Sequence, residues 1–259
     1  VNQDSFTCDS FDNGMQLAVV CDGMGGAAGG GIASSIACGA FSESMSNFAQ
    51  SFGMRETLTH EDERAVKIAM TKAIDAANIA VYERSDSEEE LRGMGTTLVA
   101  TLAYCDVLFT INVGDSRMYL ITDGQAEQIT RDHSYVQYLV DMGKMTQEEA
   151  RKSINRNIIT RAVGTDDAVE ADIYVTRLSG GNISDKIENS WNADDKQHVV
   201  LLCSDGLTNH VSPEEMAAVI REAGEIQTGP ALDQVAGKLI DMANAAGGTD
   251  NITAVLMTL

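Results

Sequence analysis

Basic residues are scarce in this sequence. Its 259 residues include 18 lysines and arginines against 39 aspartates and glutamates, which gives a formal net charge of −21. A surface with that balance repels nucleic acid and anionic membranes, so we expect neither as a partner. A surplus of carboxylates usually forms a solvated surface, and only the positions of individual acids can indicate that some of them form a site.

The sequence also lacks paired cysteines and long apolar runs. Its five cysteines, Cys8, Cys21, Cys38, Cys105 and Cys203, are scattered singly with no CxxC pair, which is typical of free thiols in a reducing compartment. No apolar stretch approaches the roughly 20 residues that span a bilayer, and no basic segment followed by an apolar one opens the chain. We therefore expect a cytoplasmic protein without a membrane segment.

Turn signals and apolar periodicity predict an α+β fold. Asn13-Gly14 and Asp123-Gly124 are hairpin signals, which imply antiparallel strands. Strands are predicted at 17–21, 96–102, 107–113, 118–121, 126–129, 199–203 and 252–257, and helices at 29–49, 61–84, 213–223 and 231–245. This order suits stacked antiparallel sheets covered by helices and does not suit a βαβ repeat. We treat residues 1–259 as one domain, with a polar segment at about 130–157 and an extra loop at about 179–195.

Four aspartates lie at the ends of predicted strands. Asp22, Asp115 and Asp205 follow apolar runs and have a glycine as neighbour, whereas Asp250 precedes the last strand and follows Gly247-Gly248. Glycine permits tight turns and close approach of the backbone, although a single Asp-Gly pair is also ordinary turn chemistry. If these ends converge, the carboxylates need a cation, since they would otherwise repel one another. An all-oxygen site suits Mg²⁺ or Mn²⁺ and hydrolysis by metal-activated water.

Six runs of residues carry a more specific signal. They are Asn2-Gln3-Asp4-Ser5-Phe6, Val20-Cys21-Asp22-Gly23-Met24-Gly25-Gly26, Gly95-Thr96-Thr97, Asn112-Val113-Gly114-Asp115-Ser116-Arg117, Leu202-Cys203-Ser204-Asp205-Gly206-Leu207 and Gly248-Thr249-Asp250-Asn251-Ile252. In this order they resemble the signature blocks of the type 2C, or PPM, protein phosphatases, and the bacterial branch is the most similar. The resemblance implies a four-layer αββα sandwich, with two antiparallel sheets flanked by helices. It also implies a metal-dependent protein serine/threonine phosphatase.

The resemblance further implies roles for individual residues. Asp22 would bridge two core Mn²⁺ or Mg²⁺ ions, and the carbonyl of Gly23 would bind one of them. Asp205 and Asp250 would hold the other ion. Asp4 would orient metal-bound water for attack on the phosphate.

An additional ion and supporting residues follow from the same resemblance. Asp115, together with Asp205, would hold a third ion of the kind found in bacterial members. Thr97 and Asn251 would support the ligands without binding metal themselves.

The nucleophile implied by the resemblance is a hydroxide bridging the two core ions, with no phosphoenzyme intermediate. The residues agree with this mechanism. No cysteine has an arginine six positions later, and no Asp-x-Asp motif followed by threonine or valine ends a strand. Covalent phosphatase mechanisms are therefore disfavoured.

Some positions depart from the family pattern. Bacterial members usually carry a histidine, which resembles a general acid for the leaving alkoxide, where this sequence has Ala27. The family's phosphate-gripping arginine would stand before Val1, so either the given sequence begins late or the site lacks that clamp. Asn209 stands where eukaryotic members carry an acid, which favours the bacterial branch. His133, in the family-like run Asp132-His133-Ser134, is interpreted as a structural residue.

Two other functions are open at this stage. The run from Gly23 to Ala28 fits a relaxed dinucleotide-binding fingerprint, but Asp22 would then lie beside a pyrophosphate. A PPM-type domain that binds partners without turnover is suggested by Ala27 and opposed by the retained aspartates. For the active enzyme we expect phosphorylated proteins as substrates, a Ser/Thr kinase and its targets among the partners, and a monomer. The segment at about 130–157 resembles the family's flap and is expected to set specificity.

Overall fold

The computed structural model describes residues 1–178, 197–224, 226 and 228–259, apart from the side chains of residues 27 and 28. The strands are β1 (Asp4–Ser10), β2 (Gln16–Met24), β3 (Gly95–Thr96), β4 (Leu98–Tyr104), β5 (Val107–Val113), β6 (Arg117–Thr122), β7 (Gln125–Gln128), β8 (Asp172–Arg177), β9 (His198–Cys203) and β10 (Ala254–Thr258). The helices are α1 (Gly26–Phe52), α2 (His60–Ser87), α3 (Tyr135–Asp141), α4 (Gln147–Lys152), α5 (Asp205–Thr208), α6 (Pro213–Glu222) and α7 (Gly229–Ala245). The predicted loop at about 179–195 lies outside the described residues.

The strands form two sheets. One has the order β1-β2-β4-β5-β8, with β3 paired to the end of β2, and the other has the order β10-β9-β6-β7. Every strand pairing within the described part of the chain is antiparallel. The dinucleotide-binding alternative is therefore wrong, because it requires parallel neighbours.

Hairpin turns close the sheets where the sequence predicts them. Gly14 has φ +88° between β1 and β2, and Asp123 and Gly124 have φ +53° and +75° between β6 and β7. Two successive residues with positive φ make the tight turn that matches the right-handed twist of paired strands. Cys105 and Asp106 adopt the same conformation between β4 and β5 without a glycine.

Three apolar clusters hold four layers together. One lies between α1, α2 and the first sheet and includes Phe41, Met70 and Phe109. A second joins α6 and α7 to the other sheet, and a third lies between the two sheets. The helices therefore cover the outer faces, and the predicted αββα sandwich of two antiparallel sheets is confirmed. No helix in the described ranges is both long and apolar enough to cross a bilayer.

Two predicted strands are interrupted or shortened next to the aspartates. The strand predicted at 96–102 is interrupted at Thr97, whose amide donates to the carbonyl oxygen of Asp22 at 2.9 Å. The strand predicted at 252–257 begins at Ala254, because the amide of Thr253 donates to Ser204 Oγ at 3.0 Å. At both positions a backbone amide therefore donates to Asp22 or to the neighbour of Asp205.

Candidate metal centre

The aspartate cluster is built first by strand register. In the β1–β2 pair Asp4 lies directly opposite Asp22, and in the β2–β3 pair Gly23 lies opposite Thr96. The backbone of Asp22 is fixed on both sides, since its amide donates to Thr97 Oγ1 at 3.0 Å and its carbonyl oxygen accepts from Thr96 Oγ1 at 2.8 Å. Thr97 thus supports Asp22, as the sequence predicts.

Asp4 connects the two sheets. Its Oδ2 accepts from Ser204 Oγ at 2.9 Å and from Thr253 Oγ1 at 2.7 Å, and these two residues flank the neighbouring strands β9 and β10. Its Oδ1 is buried and has no hydrogen-bond partner among the described residues. Burial raises the pKa of Asp4 above its usual range, the two hydroxyl donors oppose that effect, and Asp250 adds to it.

Asp205 begins α5 directly after β9. Its Oδ2 accepts from Asn209 Nδ2 at 3.1 Å, whereas its Oδ1 is buried without a hydrogen-bond partner in the part of the chain that the structure describes. Burial raises the pKa of Asp205, with further increases from Asp250 and Asp4. Asp205 therefore faces the same group of acids as Asp4.

Asp22 has the most perturbed environment of the cluster. Burial, followed by the charges of Asp4, Asp205, Asp115 and Asp250, raises its pKa from 3.8 to about 9. At neutral pH this carboxyl would hold a proton unless a cation replaced it. The four acids whose charges raise the pKa of Asp22 are the other candidate acids of the sequence. The structure therefore brings all five acids together.

Asp115 lies on a turn that has little freedom. Gly114 has φ +105°, and a Cβ on it would lie 2.6 Å from Thr97 Cγ2. Thr97 Oγ1 also shares a hydrogen bond of 2.7 Å with Ser116 Oγ, so the turn is fastened beside Asp22. Burial, then Asp205 and Asp132, raise the pKa of Asp115 to about 7, and Arg117 opposes them.

Asp250 lies at the exposed rim of the cluster. Its Oδ1 accepts from the amide of Asn251 at 2.8 Å, and Asn251 Oδ1 accepts from the amide of Gln3 at 2.8 Å. Asn251 therefore ties the Asp250 loop to the residue before Asp4, which agrees with the predicted supporting role.

Gly23 lies where the backbone of β2 meets α1. A Cβ on Gly23 would lie 1.9 Å from the carbonyl oxygen of Gly30 and 2.7 Å from that of Gln3. Only glycine fits at this distance. The sequence signal of Asp22-Gly23 therefore corresponds to a close backbone approach, next to the carboxylates.

The residues fit divalent cations. Among the described residues, two buried carboxylate oxygens, on Asp4 and Asp205, have no hydrogen-bond partner. Arg117 acts on Asp115 and Asp205 but is paired with Asp132, so it does not neutralise five acids. Oxygen donors of this kind are the ligands that Mg²⁺ and Mn²⁺ prefer. In the described part of the chain, no group of three or more His, Cys, Asp or Glu side chains is placed so that it could hold a metal ion by itself. This arrangement agrees with ions that keep several waters, and the ligand roles of the individual aspartates stay predictions.

His133 lies beside this cluster and supports it indirectly. Its Nδ1 accepts from the amide of Gly114 at 3.2 Å, and its Nε2 lies 3.2 Å from Asp172 Oδ2. Burial lowers its pKa. Both ring nitrogens are thus engaged in holding the turn before Asp115, which agrees with a structural interpretation.

Two supporting residues, Ser204 and Thr253, were missed by the sequence reasoning. Ser204 lies inside the run Leu202–Leu207, directly before Asp205, and Thr253 directly follows the run Gly248–Ile252. The function of these hydroxyls depends on Asp4 arriving from the other sheet.

Comparison with known proteins decides the family. Residues 1–239 match the family protein phosphatase 2C. The chain belongs to that family. The predicted resemblance is confirmed, and with it the enzyme class, a protein serine/threonine phosphatase.

Relatives within the protein phosphatase 2C family are bacterial. The serine/threonine phosphatase stp of Listeria monocytogenes is 32% identical over 256 residues, covering 99% of this chain and 89% of its own. The crystal structure of serine/threonine phosphatase Stp1 from Staphylococcus aureus is similar with a TM-score of 0.79 and 30% identity, over 100% of this chain and 89% of that one. The catalytic domain of the serine threonine protein phosphatase PstP, solved in complex with two manganese ions, gives a TM-score of 0.71 at 30% identity, over 100% and 92% of the two chains.

One prediction tests how Asp4 is held. Thr253→Val removes the hydroxyl that donates to Asp4 Oδ2 while keeping the volume of the side chain. Because hydrogen bonds to charged groups contribute about 1.5–3 kcal/mol, we expect the free energy of unfolding to fall by about 2 kcal/mol in metal-loaded protein. Denaturant titration measures this change, and phosphatase activity should fall as well.

Thr253→Ser is the matched control, because it keeps the hydroxyl and loses only a methyl group. It should retain most of the activity. If the serine and valine variants lose activity equally, the hydrogen bond to Asp4 does not matter and packing at Thr253 does.

Proposed function

We propose that this protein phosphatase hydrolyses phosphoserine and phosphothreonine in proteins, with Mn²⁺ or Mg²⁺ at the aspartate cluster and without a phosphoenzyme intermediate. The observation that supports this most is the convergence of five carboxyls, two of which have buried oxygens without a donor. The relative PstP, whose catalytic domain binds two manganese ions, supports the same cofactor.

The division of labour follows from the positions of the residues. When bound, two such ions lower the pKa of a water molecule and neutralise charge on the phosphoryl group. Asp22, Asp205, Asp250 and the Gly23 carbonyl would hold them, and Asp115 with Asp205 would hold a third. The free Oδ1 of Asp4 would orient the attacking water, because the other oxygen already accepts two hydroxyl donors.

Protonation of the leaving group is the step for which this chain differs from its bacterial relatives. Ala27 stands where they usually carry a histidine, and His133 is engaged by Gly114 and Asp172. We therefore propose that solvent protonates the leaving alkoxide. Protonation matters more for a poor leaving group, such as the alkoxide of serine, than for nitrophenolate, which leaves readily without a proton.

The test compares p-nitrophenyl phosphate with a phosphoserine peptide in Mn²⁺, in Mg²⁺ and in chelator. Hydrolysis of both should require metal and be lost in Asp205→Ala. Ala27→His should raise kcat for the phosphoserine peptide by at least about 10-fold and change kcat for p-nitrophenyl phosphate little, because general acid catalysis is worth about 10²- to 10⁴-fold.

The second candidate is a PPM-type domain that binds partners without turnover, and Ala27 is the observation that favours it. Folded, metal-supplied protein that hydrolyses neither substrate, even as Ala27→His, would support it. For the active enzyme we propose phosphorylated proteins as substrates, including a Ser/Thr kinase and its targets. Action as a cytoplasmic monomer is part of the same proposal.

A further inference from the structure

A cavity of about 510 Å³ opens beside the aspartate cluster. Asp115 and Asp205 line its inner end, and residues of α3, α4 and the following loop line its outer part. A phosphorylated segment bound at the cluster would therefore place its neighbouring residues in this cavity. Four arginines line it, Arg117, Arg131, Arg151 and Arg156.

Two of these arginines are already engaged. Arg117 donates to both carboxylate oxygens of Asp132, with the shortest contact at 2.7 Å, and Arg131 forms an ion pair with Asp141. Their charges are balanced within the protein. They help to shape the cavity and are not free for a ligand.

Arg151 and Arg156 differ from these two. Both side chains are exposed, and neither makes a hydrogen bond or an ion pair with any residue in the described part of the chain. The adjacent Lys152 does pair with Glu148 at 2.6 Å, so free charge is not general in this segment. Two free guanidinium groups thus line a cavity that leads to the catalytic centre.

The positive charge of Arg151 and Arg156 suits them to bind an anion. The chain carries a net charge of −21, and its field opposes the approach of a substrate that is itself anionic. A guanidinium group binds phosphate or carboxylate through two parallel hydrogen bonds, which makes it the appropriate group for a second anion on the substrate. Free cations at the cavity would offset the local repulsion and select such substrates.

We propose that Arg151 and Arg156 bind an anionic side chain, phosphate or carboxylate, that flanks the target phosphoresidue of the substrate. This site rests on the proposed phosphatase function and adds a substrate class to it. Acidic or multiply phosphorylated segments are then preferred over neutral ones.

The experiment measures kcat/KM for phosphoserine peptides with neutral flanks, with glutamate flanks on either side, and with a second phosphoserine on either side. Wild-type protein should prefer at least one anionic set by about 10-fold, mainly through KM, since two charge-assisted contacts are gained. The double variant Arg151→Gln/Arg156→Gln should lose that preference and hydrolyse p-nitrophenyl phosphate as wild type does. Loss confined to the diphosphorylated set identifies phosphate as the ligand, and loss confined to the glutamate set identifies carboxylate.

The double variant Arg64→Gln/Arg92→Gln is the matched control. It removes the same charge from two exposed arginines that do not line the cavity. Equal loss of preference in both double variants, or no preference in wild type, overturns the proposal.

The same peptides, labelled for fluorescence anisotropy, separate this proposal from the proposed function. If wild-type protein binds anionic peptides more tightly than neutral ones but hydrolyses none, the arginine site stands and the catalytic proposal fails. If it hydrolyses all peptides equally, the catalytic proposal stands and the arginine site fails.

Discussion

Replacing Asp22 with asparagine is expected to lower kcat at least about 10³-fold, because the residue is central to the cluster and metal-ion catalysis contributes several kcal/mol. The charges of Asp4, Asp205, Asp115 and Asp250 all raise the pKa of Asp22. Steady-state hydrolysis of p-nitrophenyl phosphate across a Mn²⁺ titration measures the loss, and saturating Mn²⁺ should not restore the rate.

Asp12→Asn is the control for this substitution, since Asp12 is an exposed aspartate in the turn between β1 and β2. It should leave kcat unchanged. An Asp22→Asn variant with more than a tenth of the wild-type kcat would mean that the cluster is not the catalytic metal centre.

Removal of metal is expected to make stability depend strongly on pH. The pKa values of Asp22 and Asp115 are raised from 3.8 to about 9 and about 7, so in this range the folded chain holds more protons than the unfolded chain. The free energy of unfolding in chelator should therefore fall by several kcal/mol as the pH rises from about 4 to about 9. Denaturant titrations at several pH values in chelator measure the fall.

Asn at position 22 gives the matched comparison, because the amide does not ionise. In chelator at pH 8, Asp22→Asn should be more stable than wild type although it is inactive. Mn²⁺ should stabilise wild type and reverse its pH trend, since a bound cation neutralises the carboxylates, and should stabilise the variant less. A wild-type protein whose stability in chelator rises between pH 6 and 9 would contradict the charge repulsion inferred for the cluster.

The sequence predicted which residues form the site better than it predicted how they meet. Asp22, Asp115 and Asp205 were recognisable because each follows an apolar run and has a glycine as neighbour. At two of these positions the structure shows why a side chain larger than that of glycine does not fit. Gly23 abuts the backbone of Gly30, and the positive φ of Gly114 excludes a side chain beside Thr97. Such local steric requirements can be recognised from neighbouring residues in the sequence.

Contacts between the sheets leave no comparable trace. That Ser204 and Thr253 donate to Asp4 depends on the second sheet being placed against the first, which no local pattern specifies. The edge strand β8 was missed although Ile173 and Val175 alternate with other residues and pack against the core, as in a half-buried strand. The sequence likewise does not show that Arg151 and Arg156 line one cavity, because residues far apart along the chain form its walls.

The site joins residues that are far apart along the chain. Gln3 bonds to Asn251 and Asp4 to Thr253, at separations of 248 and 249 residues. Contacts of such separation close slowly in folding, and in a growing chain residues 251–253 are made long after the first sheet. During synthesis the site therefore cannot assemble until residues 251–253 have been made.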